Sequence, residues 1–149
     1  MKLKLRRARE EDCRDMWLWR NAPQIRKNFF NMKIISWDTH KKWFYSRINS
    51  PRTHIYIACS GKDKIGLIRF DSNSDYISVS VNLNPVFLGK GLGTRIIKLG
   101  TQKILHGKKE TNKPIIAKIK NDNIISQKAF FKAGYKLFKK TKDRTIYKK

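Results

Sequence analysis

The sequence predicts an α+β sandwich around a central mixed sheet, on three observations. Apolar residues recur at helical spacing as far as Ile48, then at a spacing of two from His54 onward. Three alternating runs, 55–59, 65–70 and 76–83, are separated by short turn-rich segments, as in an antiparallel meander. A further helix, strand and helix and a closing hairpin follow, giving the order βααα-βββ-α-β-α-ββ. At 149 residues the chain reads as one domain, 1–149, long enough for a proper core.

Each element has a local cause. Residues 3–8 set Leu3 and Leu5 among lysines and arginines, a first strand. Glu10, Glu11 and Asp12 crowd the first turn of a helix over 10–19, where carboxylates complement the helix dipole. Cys13, Met16, Trp17 and Arg20 follow at helical spacing. Ala22-Pro23 breaks that helix and opens a second, short one to about residue 28. Ser36 is an N-cap for a third over 37–48, whose face carries Trp37, His40, Trp43 or Phe44, and Ile48. Ser60-Gly61-Lys62-Asp63 is a turn, and 71–75 a polar loop. A helix over 94–105 places Ile96, Ile97, Leu99 and Ile104 on its apolar side, and 114–120 is a strand. Asp122 or Asn123 caps a helix carrying Ile125, Ala129 and Phe130, which Gly134 stops. Residues 135–138 and 145–147 make the hairpin.

The chemistry concentrates in residues 77–94, ISVSVNLNPVFLGKGLGT. Ile77, Val79, Val81 and Leu83 alternate with Ser78, Ser80, Asn82 and Asn84, and Pro85 ends the pairing. Gly89, Gly91 and Gly93, with Lys90 among them, then lead into a helix. Such a turn brings backbone N–H groups and the positive end of a helix to one place, which suits a diphosphate. The spacing is neither a Walker loop nor the Rossmann fingerprint. The plainer reading is an ordinary strand-to-helix connection; the flanking strand and helix favour the cradle.

The balance of 35 basic to 11 acidic residues gives a net charge of +24, a field that suits RNA, an acidic membrane surface or phosphorylated small molecules. Cys13 and Cys59 lack CxxC spacing and sit in apolar-periodic segments, so reduced buried thiols are expected, with no metal site. No apolar h-region or membrane-length segment is present, and a cytoplasmic location is expected.

Taken together, these residues resemble the GNAT superfamily of acetyl-CoA-dependent N-acetyltransferases over essentially the whole chain. The family pattern of Val or Ile, one residue, Pro, then [Q/R]xxGxG is similar to Leu83, Pro85 and Leu88-Gly89-Lys90-Gly91-Leu92-Gly93. Leu88 departs from the usual Gln or Arg, at a position that mostly supplies backbone contact. Asn123, Ser126, Phe130 and Gly134-Tyr135 resemble the family's N-x-x-S…G-[FY] segment. A narrower resemblance involves Trp19-Arg20-Asn21, Ile25-Arg26, Ile35-Ser36, His40, Trp43-Phe44 and Ile68-Arg69-Phe70-Asp71. These are similar to N-acetyltransferases that modify the 4-amino group of UDP-linked 4-amino-4,6-dideoxy sugars in pseudaminic-acid-type biosynthesis.

The resemblance implies a mostly antiparallel mixed sheet, splayed at the cofactor site, with helices on both faces. It implies acetyl-CoA as cosubstrate, its pantetheine against Val81–Leu83, with the Leu83 N–H donating to the thioester carbonyl. The pyrophosphate would lie on Leu88, Gly89, Lys90, Gly91, Leu92, Gly93 and Thr94, and Asn123 and Phe130 would adjoin the pantetheine arm. Many relatives carry a proton-donating tyrosine where this chain has Phe130, so no phenolic acid is expected there.

For the base, His40 has an imidazole suited to neutral pH and an equally good reading as a hydrogen-bonded core residue. Asp71 is better read as a turn aspartate, and Ser80 as a water-relay hydroxyl or simply one face of a strand. Glu10, Glu11 and Glu110 are the only glutamates, none on a central strand. Arg20, Arg26 and Arg69, with Asn21 and Asp71, are the expected substrate contacts, because guanidinium binds phosphate bidentately. The competing enzyme reading is protein or ribosomal N-terminal (Rim-type) acetylation. The competing non-enzyme reading is a basic RNA-binding module, against which stands the absence of RNP-type motifs. A nucleotide sugar is the expected partner, nucleic acid and membrane are not, and a homodimer is compatible with the sequence.

Overall fold

The computed structural model describes residues 1–107 and 112–149. Seven strands form one sheet in the order β1-β2-β3-β4-β5-β7-β6. They are β1 (Lys4–Arg7), β2 (Thr53–Ser60), β3 (Asp63–Ser72), β4 (Ile77–Leu83), β5 (Ile115–Lys120), β6 (Lys136–Lys140) and β7 (Arg144–Lys148). All pairings are antiparallel except β4 with β5. Among the described residues five α-helices cover the sheet: α1 (Cys13–Asn21), α2 (Pro23–Arg26), α3 (Trp37–Ile48), α4 (Leu92–Gly107) and α5 (Ile124–Lys132).

Strand alternation splits the core in two. On one face Ile68 and Phe70 of β3, Val79 of β4 and Ala117 of β5 pack against Ile96, Ile97 and Ile104 of α4 and Phe130 of α5. On the other, Ile55, Ile57 and Leu67 pack against Cys13, Met16 and Trp19 of α1 and Phe44 of α3. Gly100 lets α4 lie close to the sheet, since a Cβ there would stand 2.7 Å from Ile68 Cδ1.

Several predicted boundaries move for local reasons. Residues 10–12 form a single 3₁₀ turn and α1 begins at Cys13, because Asp12 turns inward and accepts from the Arg9 N–H at 2.8 Å. The α2 helix ends at Arg26. Asp71, expected in a polar loop, belongs to β3, whose pairing with β4 runs on to Ser72 opposite Ile77. Helix α4 is a turn longer than its apolar stripe, and Ser36 and Asn123 cap α3 and α5 as the sequence indicates. Glu110 lies outside the described residues. Among the described residues no helix is long and apolar enough to cross a membrane.

Candidate active site

Strands β4 and β5 pair only at their start, Ile77 with Ile115 and Ser78 with Ile116, and then diverge. The direction of the backbone groups along β4 follows from two bonds. Ile77 N–H donates to Pro114 O on the β5 side, and Asn84 N–H donates to Ile65 O on the β3 side. Antiparallel alternation therefore turns the N–H and C=O groups of Val79, Val81 and Leu83 toward β5. Beyond Ser78 no ladder partner remains for them among the described residues, and the groups of Val81 and Leu83 open into the splay. Gly66 of β3 backs this point: a Cβ there would fall 2.5 Å from Asn82 O and 3.0 Å from Leu83 Cα.

Beyond Leu83 a 3₁₀ turn, Pro85–Phe87, leads through the glycine loop into α4. Gly89 and Gly91 adopt left-handed φ of 77° and 71°, which a side chain would strain. Gly93 has no positive φ, and a Cβ at Gly89, Gly91 or Gly93 would meet nothing within 4 Å. Neither backbone strain nor internal crowding accounts for the third glycine. The close approach of an outside group to the N–H groups at the start of α4 does account for it. The side chain of Leu88 is exposed, and the Lys90 ammonium lies 6.0 Å from the Phe87 ring, at the rim of the loop. Leu92 is buried beneath it in the core.

Asn123 follows the free end of β5. Its side-chain oxygen accepts from Ser126 N–H at 3.2 Å, and its amide NH2 makes no hydrogen bond among the described residues. Phe130 is buried edge-on to Tyr135, with centroids 5.0 Å apart. The Tyr135 phenol is buried and bonded to the Thr101 hydroxyl at 2.8 Å; burial pushes its pKa up to about 12. No phenol stands at position 130 itself.

On the opposite face of β4, Ser78, Ser80 and Asn82 stand opposite Asp71, Arg69 and Leu67 of β3. Lys118 and Lys120 of β5 share that face, because Ser78 is level with Ile116. Arg69 lies 5.0 Å over the Trp43 ring and donates from Nε to Asp71 at 2.8 Å. Asp71 also accepts from the Thr53 hydroxyl at 2.9 Å and pairs with Arg47 at 3.6 Å. This carboxylate is an anchor for arginines and is fully occupied.

Arg20 donates from one terminal nitrogen to Asn31 O at 2.9 Å, and its guanidinium lies 3.6 Å from the centre of the Phe29 ring. Its other terminal nitrogen, Nη1, and the Nε of Arg26 are buried without a hydrogen-bond partner among the described residues. Burial, then the positive charges of Arg26 and Arg69, hold the Arg20 guanidinium below its usual pKa. Three cations therefore converge, and of these only Arg69 is paired with an anion, Asp71. The segment 27–34 touches Arg20 through Asn31 and Phe29 and is tied to the sheet, with Lys120 donating to Lys27 O at 2.9 Å and Arg144 4.2 Å over Phe30.

Two expected site residues are committed to hydrogen bonds within the fold. Asn21 donates its side-chain amide to Ile35 O and accepts from Ile35 N–H, both at 2.8 Å, so it fastens the chain before α3 rather than facing a ligand. His40 is 5% exposed, packed among Trp37, Trp43 and Phe44, with Nε2 2.9 Å from Cys13 O. A carbonyl only accepts, so Nε2 carries the proton. Burial lowers the pKa below 6.5, the carbonyl bond opposes it, and the nearby charge of Arg20 adds to the lowering. His40 joins α1 to α3 and so holds Arg20 in place.

The sign of that shift makes a prediction. The folded state binds the proton less readily than the unfolded chain, so stability from neutral His40 is present above pH 6.5 and falls away below it. His40→Gln should lower the melting temperature near neutrality and flatten its decline as pH falls below 6.5. Pulse proteolysis across that range reads it, and the pH–rate profile of the folded variant should match the parent's.

Sequence reasoning missed Lys118 and Lys120. Their alternation with Ile115, Ala117 and Ile119 put them opposite the core, but only the β4–β5 register shows that this face looks onto Ser80.

Open space around the glycines at the start of α4, free strand backbone on β4 and an unpaired amide at the start of α5 follow one another along the splay. The model for an acetyltransferase (GNAT) domain matches residues 2–136. The chain belongs to that family. It is an N-acetyltransferase of the GNAT kind. Among solved structures, a domain from Methanocaldococcus jannaschii is 27% identical, with TM-score 0.85 over 99% of this chain and 97% of that one. The spermidine N-acetyltransferase of Vibrio cholerae, solved with CoA and spermine, is 16% identical, with TM-score 0.80 over 98% and 92%. The ribosomal L7/L12 α-N-protein acetyltransferase RimL, solved with CoA, is also 16% identical, with TM-score 0.81 over 100% and 94%. At those last two identities the likeness is one of fold. No curated protein matches the chain by sequence.

Proposed function

We propose that this acetyltransferase acts on an amine borne by a phosphate-containing substrate, the 4-amino group of a UDP-linked amino-deoxy sugar. The observation that carries the proposal is the pair of buried, unpartnered guanidinium nitrogens on Arg20 and Arg26, with Arg69 alongside. Buried donors are costly unless paired, and a diphosphate supplies acceptors in the planar geometry guanidinium prefers. Polycationic amines such as spermine would meet repulsion on this face and from a chain of net charge +24.

The residues fit acetyl-CoA as the second substrate. Backbone N–H groups of Gly89–Thr94 hold the pyrophosphate with Lys90 at the rim, the open backbone of Val81 and Leu83 receives the pantetheine, and Asn123 donates its free amide to it. Acetyl-CoA supplies a thioester carbonyl for the amine to attack. The Leu83 N–H, aimed into the splay, stabilises the oxyanion that forms there. An amine held beside Lys118 and Lys120, on the face of Ser80, loses its proton more readily, since like charges disfavour the ammonium. Proton removal then needs only water, and Ser80, opposite Arg69, hydrogen-bonds that water or the amine. The departing thiolate takes its proton from solvent, because position 130 offers none.

Thiol release from acetyl-CoA with a UDP-4-amino-4,6-dideoxy sugar, spermine and ribosomal N-terminal peptides tests the reading. Turnover is expected with the nucleotide sugar and not with spermine. Turnover with peptides alone would overturn the substrate while leaving the family intact.

A further inference from the structure

Away from the groove, α5 and the β6–β7 hairpin expose apolar side chains that the acetyl-transfer chemistry does not use. Ile124 and Phe131, two turns apart on one side of α5, are 51% and 66% exposed. With Tyr147 of β7 they line a shallow groove bordered by Lys128 and Lys132. Leu137 of β6 pairs with Tyr147, which puts it on the same face, and it is 60% exposed. Lys140 pairs with Thr145, two residues before Tyr147, and so rises on that face as well. The patch is apolar at its centre and cationic around its rim. From Lys120 to Lys149 the chain carries ten lysines and arginines against two aspartates.

We infer that this face docks on an anionic phospholipid surface, with Phe131, Leu137 and Ile124 entering the interface and Lys128, Lys132 and Lys140 contacting the headgroups. Charge and shape select that occupant. Interfacial binding combines shallow burial of apolar side chains with attraction of lysines to acidic lipid, and both components are present on one face. A second copy of the chain fits poorly, because it would bring an identical lysine rim against this one. The edge strand β6 adds to that, since Lys136, Lys139 and Lys140 guard it against pairing with its own kind. RNA would be met by basic and aromatic groups, but the aliphatic Ile124 and Leu137 offer it no stacking surface. No part of α5 needs to cross the bilayer, and among the described residues no helix could.

Flotation of the full chain with vesicles of phosphatidylcholine, with or without phosphatidylglycerol, tests the inference. Binding is expected only when phosphatidylglycerol is present, and it should weaken as salt rises. Phe131→Ser and Leu137→Ser should each weaken it about ten-fold or more, from the apolar area no longer buried. Lys132→Gln should weaken it about five-fold, the share of one lysine near an acidic surface. Acetyl transfer in solution should be unchanged in all three variants, which shows that each has folded. Binding by the two serine variants equal to the parent's would overturn the inference, since net charge alone would then explain the attraction. So would equal binding to phosphatidylcholine alone, a concentration-dependent dimer abolished by Leu137→Ser, or single-stranded RNA binding that Phe131→Ser weakens as much.

Discussion

Arg26→Gln raises KM for the UDP-amino-sugar by about ten- to a hundred-fold, and leaves KM for acetyl-CoA and kcat close to the parent values. The magnitude is that of one hydrogen bond to a charged group, about 1.5–3 kcal/mol. A contact made equally in ground state and transition state appears in KM alone. The same substitution should also raise the melting temperature. In the substrate-free protein Arg26 stands beside Arg20 and Arg69 with its Nε buried and unpaired, so removing its charge relieves both repulsion and a desolvated donor. Stability and affinity therefore move in opposite directions, as expected of a site held in readiness for an anion. Arg20→Lys is the companion variant. It keeps the charge and loses the planar fork, so it should weaken the nucleotide sugar with little gain in stability. A higher melting temperature with unchanged KM would make the cluster a structural liability and remove the argument for a phosphate. Calorimetry and initial rates on one preparation separate these outcomes.

What the sequence disclosed and what it withheld divide along physical lines. The glycine loop was legible because backbone requirements are local: Gly89 and Gly91 announce left-handed φ, and Pro85 announces the end of a strand. The sheet was legible because a period of two needs only neighbours in sequence. Lateral register was not. Nothing in 77–83 or 115–120 says that β4 and β5 share two residue pairs and then part, so the free N–H of Leu83 came from resemblance before it came from geometry. Side-chain commitment was withheld as well. Asn21 and His40 stood in the right segments for a substrate site, yet their hydrogen bonds go to Ile35 and Cys13, partners fourteen and twenty-seven residues away. Arg20 and Arg26 carried the opposite signal. Their value lies in bonds not made, and only a folded chain shows which donors are left over.

The same blindness to burial separates Asp12 from its neighbours, and the largest stability effect in the molecule is expected there. Glu10, Glu11 and Asp12 look equivalent in sequence, three acids at a helix start. In the fold Asp12 is 0% exposed. Its two oxygens accept from Arg6 Nη1 and Nη2 at 2.8 and 2.9 Å, from Lys64 Nζ at 2.8 Å and from Arg9 N–H at 2.8 Å. The carboxylate thereby ties β1, the loop before α1 and β3 together. Burial alone would raise its pKa, but the bonds from Arg6 and Lys64, with the Arg9 amide, hold it well below the usual carboxylate range.

Asp12→Ala should cost about 3–5 kcal/mol, because Arg6 loses its carboxylate while Lys64 keeps only Asp15, 3.0 Å away. That is a large part of the roughly 5–15 kcal/mol that holds a domain together. Glu11→Ala, at an exposed pair with Arg9, should stay within about 0.5 kcal/mol. Arg6→Met in the Asp12→Ala background should recover part of the loss by removing the charge left without a carboxylate, a coupling that urea titration of the double-mutant cycle measures directly. The pH dependence fixes the origin of the effect. A depressed carboxylate stabilises the fold above its unfolded pKa of 3.8 and ceases to do so as pH falls through its folded value. The parent should therefore lose stability progressively below pH 3.8 by more than the Asp12→Ala variant does. Parallel acid titrations of parent and variant would show that the ion pairs contribute nothing, and that the cost of the substitution lies in packing alone.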